Sequence, residues 1–153
     1  MDIIWQDLHH SELDVAQLYR LLALRNAVFI VEQQCPYLDI DGADLMGENR
    51  HLLGMLKDKL VAYLRILGPD CVGKPVKIGR VIVSGDIRGL NLGSRLMAQA
   101  INSCEQHWPG QPIFLSAQAH LQGFYGRQGF VAVSEVYLED GIPHIDMQRT
   151  QGM

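Results

Sequence analysis

The stretch Val81-Ile82-Val83-Ser84-Gly85-Asp86-Ile87-Arg88-Gly89-Leu90-Asn91-Leu92-Gly93-Ser94 decides the fold of this chain. Its β-branched start, residues 81–83, predicts a strand. From Leu92 onward, apolar residues recur at helical spacing, which predicts a helix that ends near His107. The sequence therefore predicts a strand, a loop that contains glycines, and a helix, in that order.

The backbone of this loop suits a phosphate group. The first N–H groups of a helix have no intrahelical partner, and the helix dipole favours negative charge at the same end. Gly89 and Gly93 have no Cβ, so a ligand can approach the backbone closely. Arg88 adds a guanidinium that pairs with phosphate. The same pattern is also typical of a tight connection without a ligand, so it does not decide the function alone.

Composition limits the class of protein. The chain has 153 residues, of which 48% are hydrophobic and 20% are charged, which predicts one domain over residues 1–153. The net charge of −4 implies no basic surface and argues against nucleic acid as a partner. No apolar run approaches the roughly 20 residues of a membrane helix. The cysteines, Cys35, Cys71 and Cys104, are scattered, which fits a reducing compartment. We expect a cytoplasmic monomer or homodimer.

The patterns along the chain predict an α/β fold in the order β-α-β-β-β-α-β-α-β-β, with a mixed, mostly antiparallel sheet flanked by helices. Ser11 followed by Asp14 predicts the start of a helix that runs to about Glu32. A hairpin is expected over residues 51–66. The chain should close with an antiparallel pair, residues 130–138 and 144–147, joined through the Asp140-Gly141 turn.

The second informative stretch, residues 118–130, reads Gln-Ala-His-Leu-Gln-Gly-Phe-Tyr-Gly-Arg-Gln-Gly-Phe. It follows a predicted strand and should form a short helix that ends at Gly129. Together with the first stretch, it resembles the GNAT acetyltransferase superfamily, whose second motif carries Phe124-Tyr125 and Gly129-Phe130 at this spacing. In the first motif, Asn91 stands where the family has glycine, and Asn tolerates a left-handed backbone. Gln118 stands where the family has Asn, and Leu121 where it has Ala.

Residues outside these motifs are similar to the ElaA-type bacterial branch of the superfamily. They are the segment 28–33, the Cys35-Pro36-Tyr37 run with Asp39, Asp41 and Gly42 after it, His51, and the segment 139–144. This resemblance does not imply a particular acceptor.

The resemblance implies that acetyl-CoA is the cosubstrate. The loop from Arg88 to Ser94 would hold its pyrophosphate, and the end of the strand would offer backbone groups to the pantetheine. The backbone N–H of Val83 would donate to the thioester carbonyl, and Tyr125 would protonate the departing thiolate. The alternative for Tyr125 is a packed aromatic residue. The residues implied in acetyl-CoA binding are Val81, Ile82, Val83, Arg88, Gly89, Leu90, Asn91, Leu92, Gly93, Ser94, Gln118, Phe124 and Tyr125.

An amine acceptor needs a base, for which Glu32, His51 and His144 are the candidates. Each of them could equally bind substrate or serve as a hydrogen-bonded structural group, and we favour Glu32 and His144 as catalytic partners of Tyr125. Arg25 lies two helical turns before Glu32 on one side of the predicted helix, which is either a substrate-side face or a solvated one. The expected acceptor-binding residues are Arg25, Phe29, Glu32, His51 and His120.

A long loop, residues 33–49, carries Asp39, Asp41 and Asp44. It is either an acidic lip that attracts a cationic amine or an ordinary solvated loop. Calcium is disfavoured because Gly42 comes too early for an EF-hand and no Glu closes the pattern. The adjacent pair His9-His10 predicts a surface turn, and no metal is expected.

These observations predict direct transfer of an acetyl group from acetyl-CoA to an amine of a small molecule or peptide. A covalent acyl-enzyme at Cys35 has no supporting Cys/His/Asp pattern. The alternative is a CoA-binding sensor or interaction module without turnover. O-acyl transfer and longer acyl donors also stay open.

Overall fold

The computed structural model describes residues 2–70, 74–85 and 90–151. The strands are β1 (Ile4–His9), β2 (Arg50–Leu56), β3 (Lys59–Leu67), β4 (Val76–Val83), β5 (Ile113–Gln118), β6 (Val131–Ala132), β7 (Tyr137–Glu139) and β8 (Ile142–Arg149). The helices are α1 (Val15–Arg25), which continues as a π-helix (Asn26–Glu32), α2 (Leu92–His107) and α3 (Gln122–Gly126). Short 3-10 turns lie at His10–Glu12 and Ala119–Leu121.

In the part of the chain that the structure describes, eight strands form one sheet in the order β1-β2-β3-β4-β5-β8-β6, with β7 also paired to β8. All neighbours are antiparallel except β4 and β5, which are parallel. This parallel pairing is confined to Val76↔Ile113 and Lys77↔Phe114. Beyond these residues the two strands diverge, so the sheet is split by a gap at its centre.

Helices cover both faces of the sheet. The larger core packs α2 and α3 against one face, through residues such as Leu96, Ile113 and Tyr125. A smaller core packs α1 and the π-helix against the other face, around Leu21 and Tyr63. The gap between β4 and β5 therefore opens toward a helical layer on each side.

A β-bulge bends β4 just before the gap. The register runs from Arg65↔Gly79 to Tyr63↔Ile82, so β4 contains one more residue than β3 over this interval. Arg80 takes up the extra length with a left-handed φ of 55°. Ile78 consequently packs in the larger core, whereas Ile82 packs in the smaller one. The bulge turns the end of β4 relative to its start.

The structure confirms the predicted fold class and most of the predicted elements. It differs at two points. Asp14, not Ser11, caps α1. Its side chain accepts a hydrogen bond from the backbone N–H of Gln17, and the side chain of Gln17 accepts one from the backbone N–H of Asp14. The strand predicted over residues 130–138 is two short strands, β6 and β7, which pair with opposite ends of β8.

Candidate active site

The gap between β4 and β5 is the centre of a cavity of about 650 Å³. Val28 and Phe29 of the π-helix line it on one face of the sheet, and Leu121 and Tyr125 line it on the other. The ends of both strands contribute, including Val81, Ile82 and Val83 of β4 and Gln118 of β5. The cavity therefore passes through the sheet and connects its two faces.

The start of α2 lies beside this gap. Asn91 precedes the helix with a left-handed backbone, φ 51° and ψ 42°, as its tolerance of that conformation predicted. Its side chain caps none of the first N–H groups of the helix. A Cβ at Gly93 would lie 3.3 Å from Cζ of Phe124 and 3.9 Å from Cγ2 of Val83. A glycine here lets α2 start close to both β4 and α3.

Leu90 and Leu92 contribute to this region through their backbone, since their side chains pack in or against the larger core. Ser94 Oγ accepts from Nε2 of Gln128 at 3.4 Å. Arg88 and Gly89, which were expected to complete the loop, lie outside the described residues.

The backbone of Val83 is directed into the gap. The N–H of Ser84 donates to the carbonyl of Val61 at 2.8 Å, and Val83 lies opposite Ala62. In an antiparallel ladder this makes Val83 and Ala62 a non-hydrogen-bonded pair, whose own N–H and C=O groups point away from each other. Those of Val83 point toward the side where β5 has diverged. This direction fits an N–H that donates to a carbonyl in the cavity.

Tyr125 lies on α3 with its side chain 5% exposed. Its ring packs edge-to-face on Phe124 and Phe130, with centroid distances of 5.0 and 6.2 Å. Burial raises the pKa of Tyr125 to about 12. The phenol is therefore both a packed aromatic residue and a protonated group in the wall of the cavity.

His144 lies on β8, next to the end of β5, and also lines the cavity. Its Nδ1 is 2.7 Å from the carbonyl of Ile142, which can only accept, so Nδ1 carries a hydrogen. In the neutral imidazole, Nε2 is then the nitrogen that can take up a proton. Nε2 lies 3.7 Å from Oε2 of Glu139, and the ring stacks on Tyr137. These contacts fix both the tautomer and the orientation of the ring.

The other residues expected on the acceptor side are less well placed, apart from Phe29. Glu32 and His120 are exposed and do not line the cavity. His51 is fully buried between Tyr63 Oη at 2.6 Å and the carbonyl of Asp44 at 2.9 Å, and burial lowers its pKa. A base or substrate contact at His51 would need a surface that this side chain does not have. The geometry therefore favours His144 among the candidate bases.

Arg25 is also fully buried, so the expected substrate contact is replaced by ion pairs within the protein. Its Nε donates to Asp39 at 3.0 Å and its Nη1 to Asp44 at 2.6 Å. Burial alone would lower the pKa of Arg25, but the hydrogen bond and the charges of these carboxylates hold it above its ordinary value. Arg25 thus joins α1 to the long loop.

The long loop does not form the open acidic lip considered above. Asp39 and Asp44 are only 7% and 5% exposed. Asp41 accepts from Arg65 at 2.6 and 2.9 Å, and these hydrogen bonds hold the pKa of its carboxyl well below the usual range. Asp39 and Asp44 point inward, whereas Asp41 stays exposed, and arginines of α1, β3 and β4 compensate the charge of all three. The acidic side chains that do line the cavity are Glu139 and Asp140, at the β7–β8 turn.

Sequence reasoning missed Arg80, which links the loop to the bulge. Its Nε donates to Asp39 at 2.7 Å, and its guanidinium lies 5.6 Å from the centroid of the Tyr37 ring. The side chains of Arg80 and Tyr37 line the cavity. The available signal was a second charged residue, after Lys77, in a strand whose other residues are apolar or glycine. The cavity-lining residues Lys77, Gly79, Phe114 and Ser116 were missed as well, although their alternation with buried neighbours indicates a second exposed face.

The described residues hold no group of three or more metal-ligating side chains. In these residues, Cys35 and Cys104 are free thiols, and Cys71 lies outside them. Every helix that the structure describes is too short or too polar to cross a bilayer.

Comparison with known proteins agrees with this geometry. The model of the acetyltransferase (GNAT) domain family matches residues 23–151. The chain is 62% identical to protein ElaA of Escherichia coli strain K12 over 96% of each chain. The crystal structure of Escherichia coli ElaA superposes with a TM-score of 0.93 at 61% identity, covering 97% of this chain and 99% of that one. The crystal structure of an acyl-CoA N-acyltransferase from Pseudomonas aeruginosa superposes with a TM-score of 0.92 at 51% identity and the same coverage. The chain therefore belongs to the GNAT acetyltransferase family.

Proposed function

We propose that this protein transfers an acetyl group from acetyl-CoA directly to an amine. The observation that carries the proposal is the cavity at the split in the sheet, because residues from both faces of the sheet line it, so that each face can admit one substrate. Its lining combines the diverging end of β4, a buried phenol at Tyr125 and an oriented imidazole at His144. Direct transfer requires these groups and no nucleophilic side chain.

Acetyl-CoA supplies an acetyl group activated as a thioester. The first N–H groups of α2 suit its pyrophosphate, since they have no intrahelical partner and the side chain of Asn91 leaves them uncapped. The N–H of Val83 suits the thioester carbonyl, since it is directed into the gap. Arg88 and Gly89 complete this proposal from the sequence alone.

Two side chains handle protons in this proposal. Tyr125 keeps its proton at neutral pH, since burial raises its pKa to about 12, and can donate it to the departing sulfur. His144 Nε2 takes a proton from the acceptor ammonium, directly or through water, because Nδ1 is committed to the carbonyl of Ile142. Glu139, beside Nε2, stabilises the imidazolium that results.

The relatives support the chemistry without naming an acceptor. The Pseudomonas protein is described as an acyl-CoA N-acyltransferase, and it covers nearly the whole of this chain. We extend that reaction class to this protein and take acetyl as the acyl group, as the family name suggests.

The test is release of free thiol from acetyl-CoA in the presence of a panel of amines, with mass spectrometry to identify the acetylated product. We expect release above the amine-free rate with at least one class of amine. His144→Gln should lower kcat by about a hundredfold at pH 7, in the range of general base catalysis. The loss should shrink as the pH rises, because more of the amine is then deprotonated without a base.

Two other outcomes would change this assignment. If acetyl-CoA binds but no amine accelerates thiol release, the non-catalytic CoA-binding module becomes the better description. If product forms and His144→Gln has no effect on kcat, the reaction stands and His144 loses its role.

A further inference from the structure

Gly79 leaves a hollow in the wall of the cavity. A Cβ added at this position would meet no atom within 4 Å, and the φ of Gly79 lies outside the left-handed region. Neither crowding nor backbone conformation therefore requires a glycine here. A strand interior also disfavours glycine, because it offers no side chain to pack. The residue keeps a space open on the face of β4 opposite Ile78. This face is turned toward the π-helix, and we call this part of the cavity the acceptor side.

An uncompensated positive charge lies beside this hollow. Lys77 lies two residues before Gly79 on the same face of β4, and both line the cavity. Within the described residues, Lys77 has no ion-pair partner. Arg65 lies opposite Gly79 on β3, and its buried Nε finds no hydrogen-bond acceptor among those residues. The aspartates nearby are already engaged with arginines, so the charge of Lys77 is left uncompensated.

The opposite end of the acceptor side carries the reverse charge. Glu139, Asp140 and His144 line the cavity near the end of β5. Lys77 pairs with Phe114, and His144 pairs with Gln118, four residues farther along β5. At about 3.3 Å per residue, these two pairs are roughly 13 Å apart. The acceptor side is thus an elongated site with a cationic end and an acidic end.

We propose that the acceptor is an amine that carries a carboxylate at its far end, and that this carboxylate binds in the Gly79 hollow beside Lys77. This rests on the proposed function, which sets the amine near Val83 and His144. This spacing disfavours a free α-amino acid, because its amino group and its carboxylate are attached to the same carbon. It fits a linear ω-amino acid or a short peptide with a free C-terminus.

The test compares ω-amino acids of four, six and eight carbons with alkylamines of the same lengths, by kcat/KM for thiol release. At the best length, we expect the amino acid to exceed its matched alkylamine by about tenfold or more. Lys77→Met should bring this ratio close to one. Lys74→Met, which removes the same charge from an exposed position outside the cavity, should leave the ratio as it is in the wild type. A dipeptide series then distinguishes a peptide terminus from a free amino acid.

Gly79→Val gives a second and independent measurement. Valine is a favourable strand residue, so the thermal midpoint should hold or rise. Filling the hollow should raise the KM for the best ω-amino acid by about tenfold or more, and by much more than it raises the Kd for acetyl-CoA. Gly79→Ala provides the same comparison with a smaller side chain if the valine variant does not fold.

The outcomes separate this inference from the function on which it rests. Turnover of alkylamines without a preference for the carboxylate, or a ratio that Lys77→Met does not change, would overturn the carboxylate site and leave the acetyl transfer standing. Absence of thiol release with every amine would overturn both.

Discussion

The environment of Tyr125 combines close packing with a raised pKa. It is buried against Phe124 and Phe130, and the same burial raises its pKa to about 12. The phenol therefore stays protonated between pH 7 and pH 10, so its titration should cause no loss of activity in that range. Tyr125→Phe keeps the packing and removes the proton. We expect kcat to fall by about a hundredfold, with a much smaller change in acetyl-CoA affinity.

This prediction is checked by steady-state kinetics alongside calorimetric titration of acetyl-CoA. An equal loss in kcat and in affinity would show that the hydroxyl binds the cosubstrate and does not act as the acid.

Asp41 should make stability depend on pH. Its hydrogen bonds from Arg65 hold the folded-state pKa below the value of about 3.9 expected for an unfolded chain. Its stabilising contribution is therefore fully present above that value and is lost as the pH falls toward the folded pKa. Asp41→Asn should be less stable than the wild type by about 1 kcal/mol at pH 7.

Urea unfolding at pH 7, 5, 4 and 3 measures this difference, which should hold between pH 7 and pH 5 and shrink as the pH falls through 4 to 3. Asp58→Asn, which removes a carboxylate from the exposed β2–β3 turn, is measured alongside as the control. A difference between wild type and Asp41→Asn that is constant with pH would contradict the proposed linkage.

Among the elements, the loop over residues 33–49 depends most on a buried cation. Arg25 binds Asp39 and Asp44 of that loop from α1, and its side chain is fully buried. Arg25→Met would leave buried carboxylates with fewer partners, which costs about 3 kcal/mol. We expect urea titrations to show this loss of unfolding free energy. The loop also forms part of the cavity wall through Tyr37, so the acceptor amine should bind more weakly.

Arg20→Met is the matched control on the same helix. Arg20 is exposed and, among the residues that the structure describes, donates only a long hydrogen bond, 3.4 Å, to the carbonyl of Asp58, so its loss should cost about 0.5 kcal/mol or less. Equal costs for the two variants would mean that the buried pairs do not stabilise the loop.

The start of α2 is the element on which cosubstrate binding should depend. Gly93→Asp would press a side chain toward Phe124, since its Cβ position is 3.3 Å from that ring, and would add a negative charge where phosphate is expected. We expect acetyl-CoA binding to weaken by more than about a hundredfold, which corresponds to about 3 kcal/mol. Ala98→Asp adds the same charge at an exposed position of the same helix and should bind normally. Unchanged affinity in Gly93→Asp would mean that the phosphate site is elsewhere.

The elements that could be predicted from sequence are those that local patterns specify. The end of β4, the start of α2, the hairpin turn at Asp140-Gly141 and the left-handed Asn91 all follow from residue type and spacing. The inward-facing aspartates do not, because Asp39 binds Arg80 across 41 positions of sequence. The bulge was missed because a left-handed arginine has no local signature. The burial of His51 was missed for a similar reason, since it depends on the loop folding over this side chain.

At the scale of the whole molecule, the sheet consists of two parts joined at a narrow contact. Strands β1 to β4 and strands β5, β6, β7 and β8 are connected through pairs at Val76 and Lys77, and the gap begins directly beyond them. A ligand that occupies the gap touches both parts, so binding should resist their separation. The site is thus also a place where the ligand can stabilise the fold.

Acetyl-CoA should accordingly raise the thermal midpoint of the protein. A ligand that binds only the folded chain at 100 times its Kd adds about 2.7 kcal/mol. For a chain of 153 residues, each kcal/mol shifts the midpoint by about 2–4 °C, which predicts a rise of roughly 5–10 °C. Calorimetric melting with acetyl-CoA, with pantetheine and with no ligand measures it. Pantetheine lacks the pyrophosphate and should give a much smaller rise at the same concentration. Equal shifts for the two ligands, or an undiminished shift in Gly93→Asp, would show that the start of α2 contributes nothing to binding, and that the gap between β4 and β5 alone holds the cosubstrate.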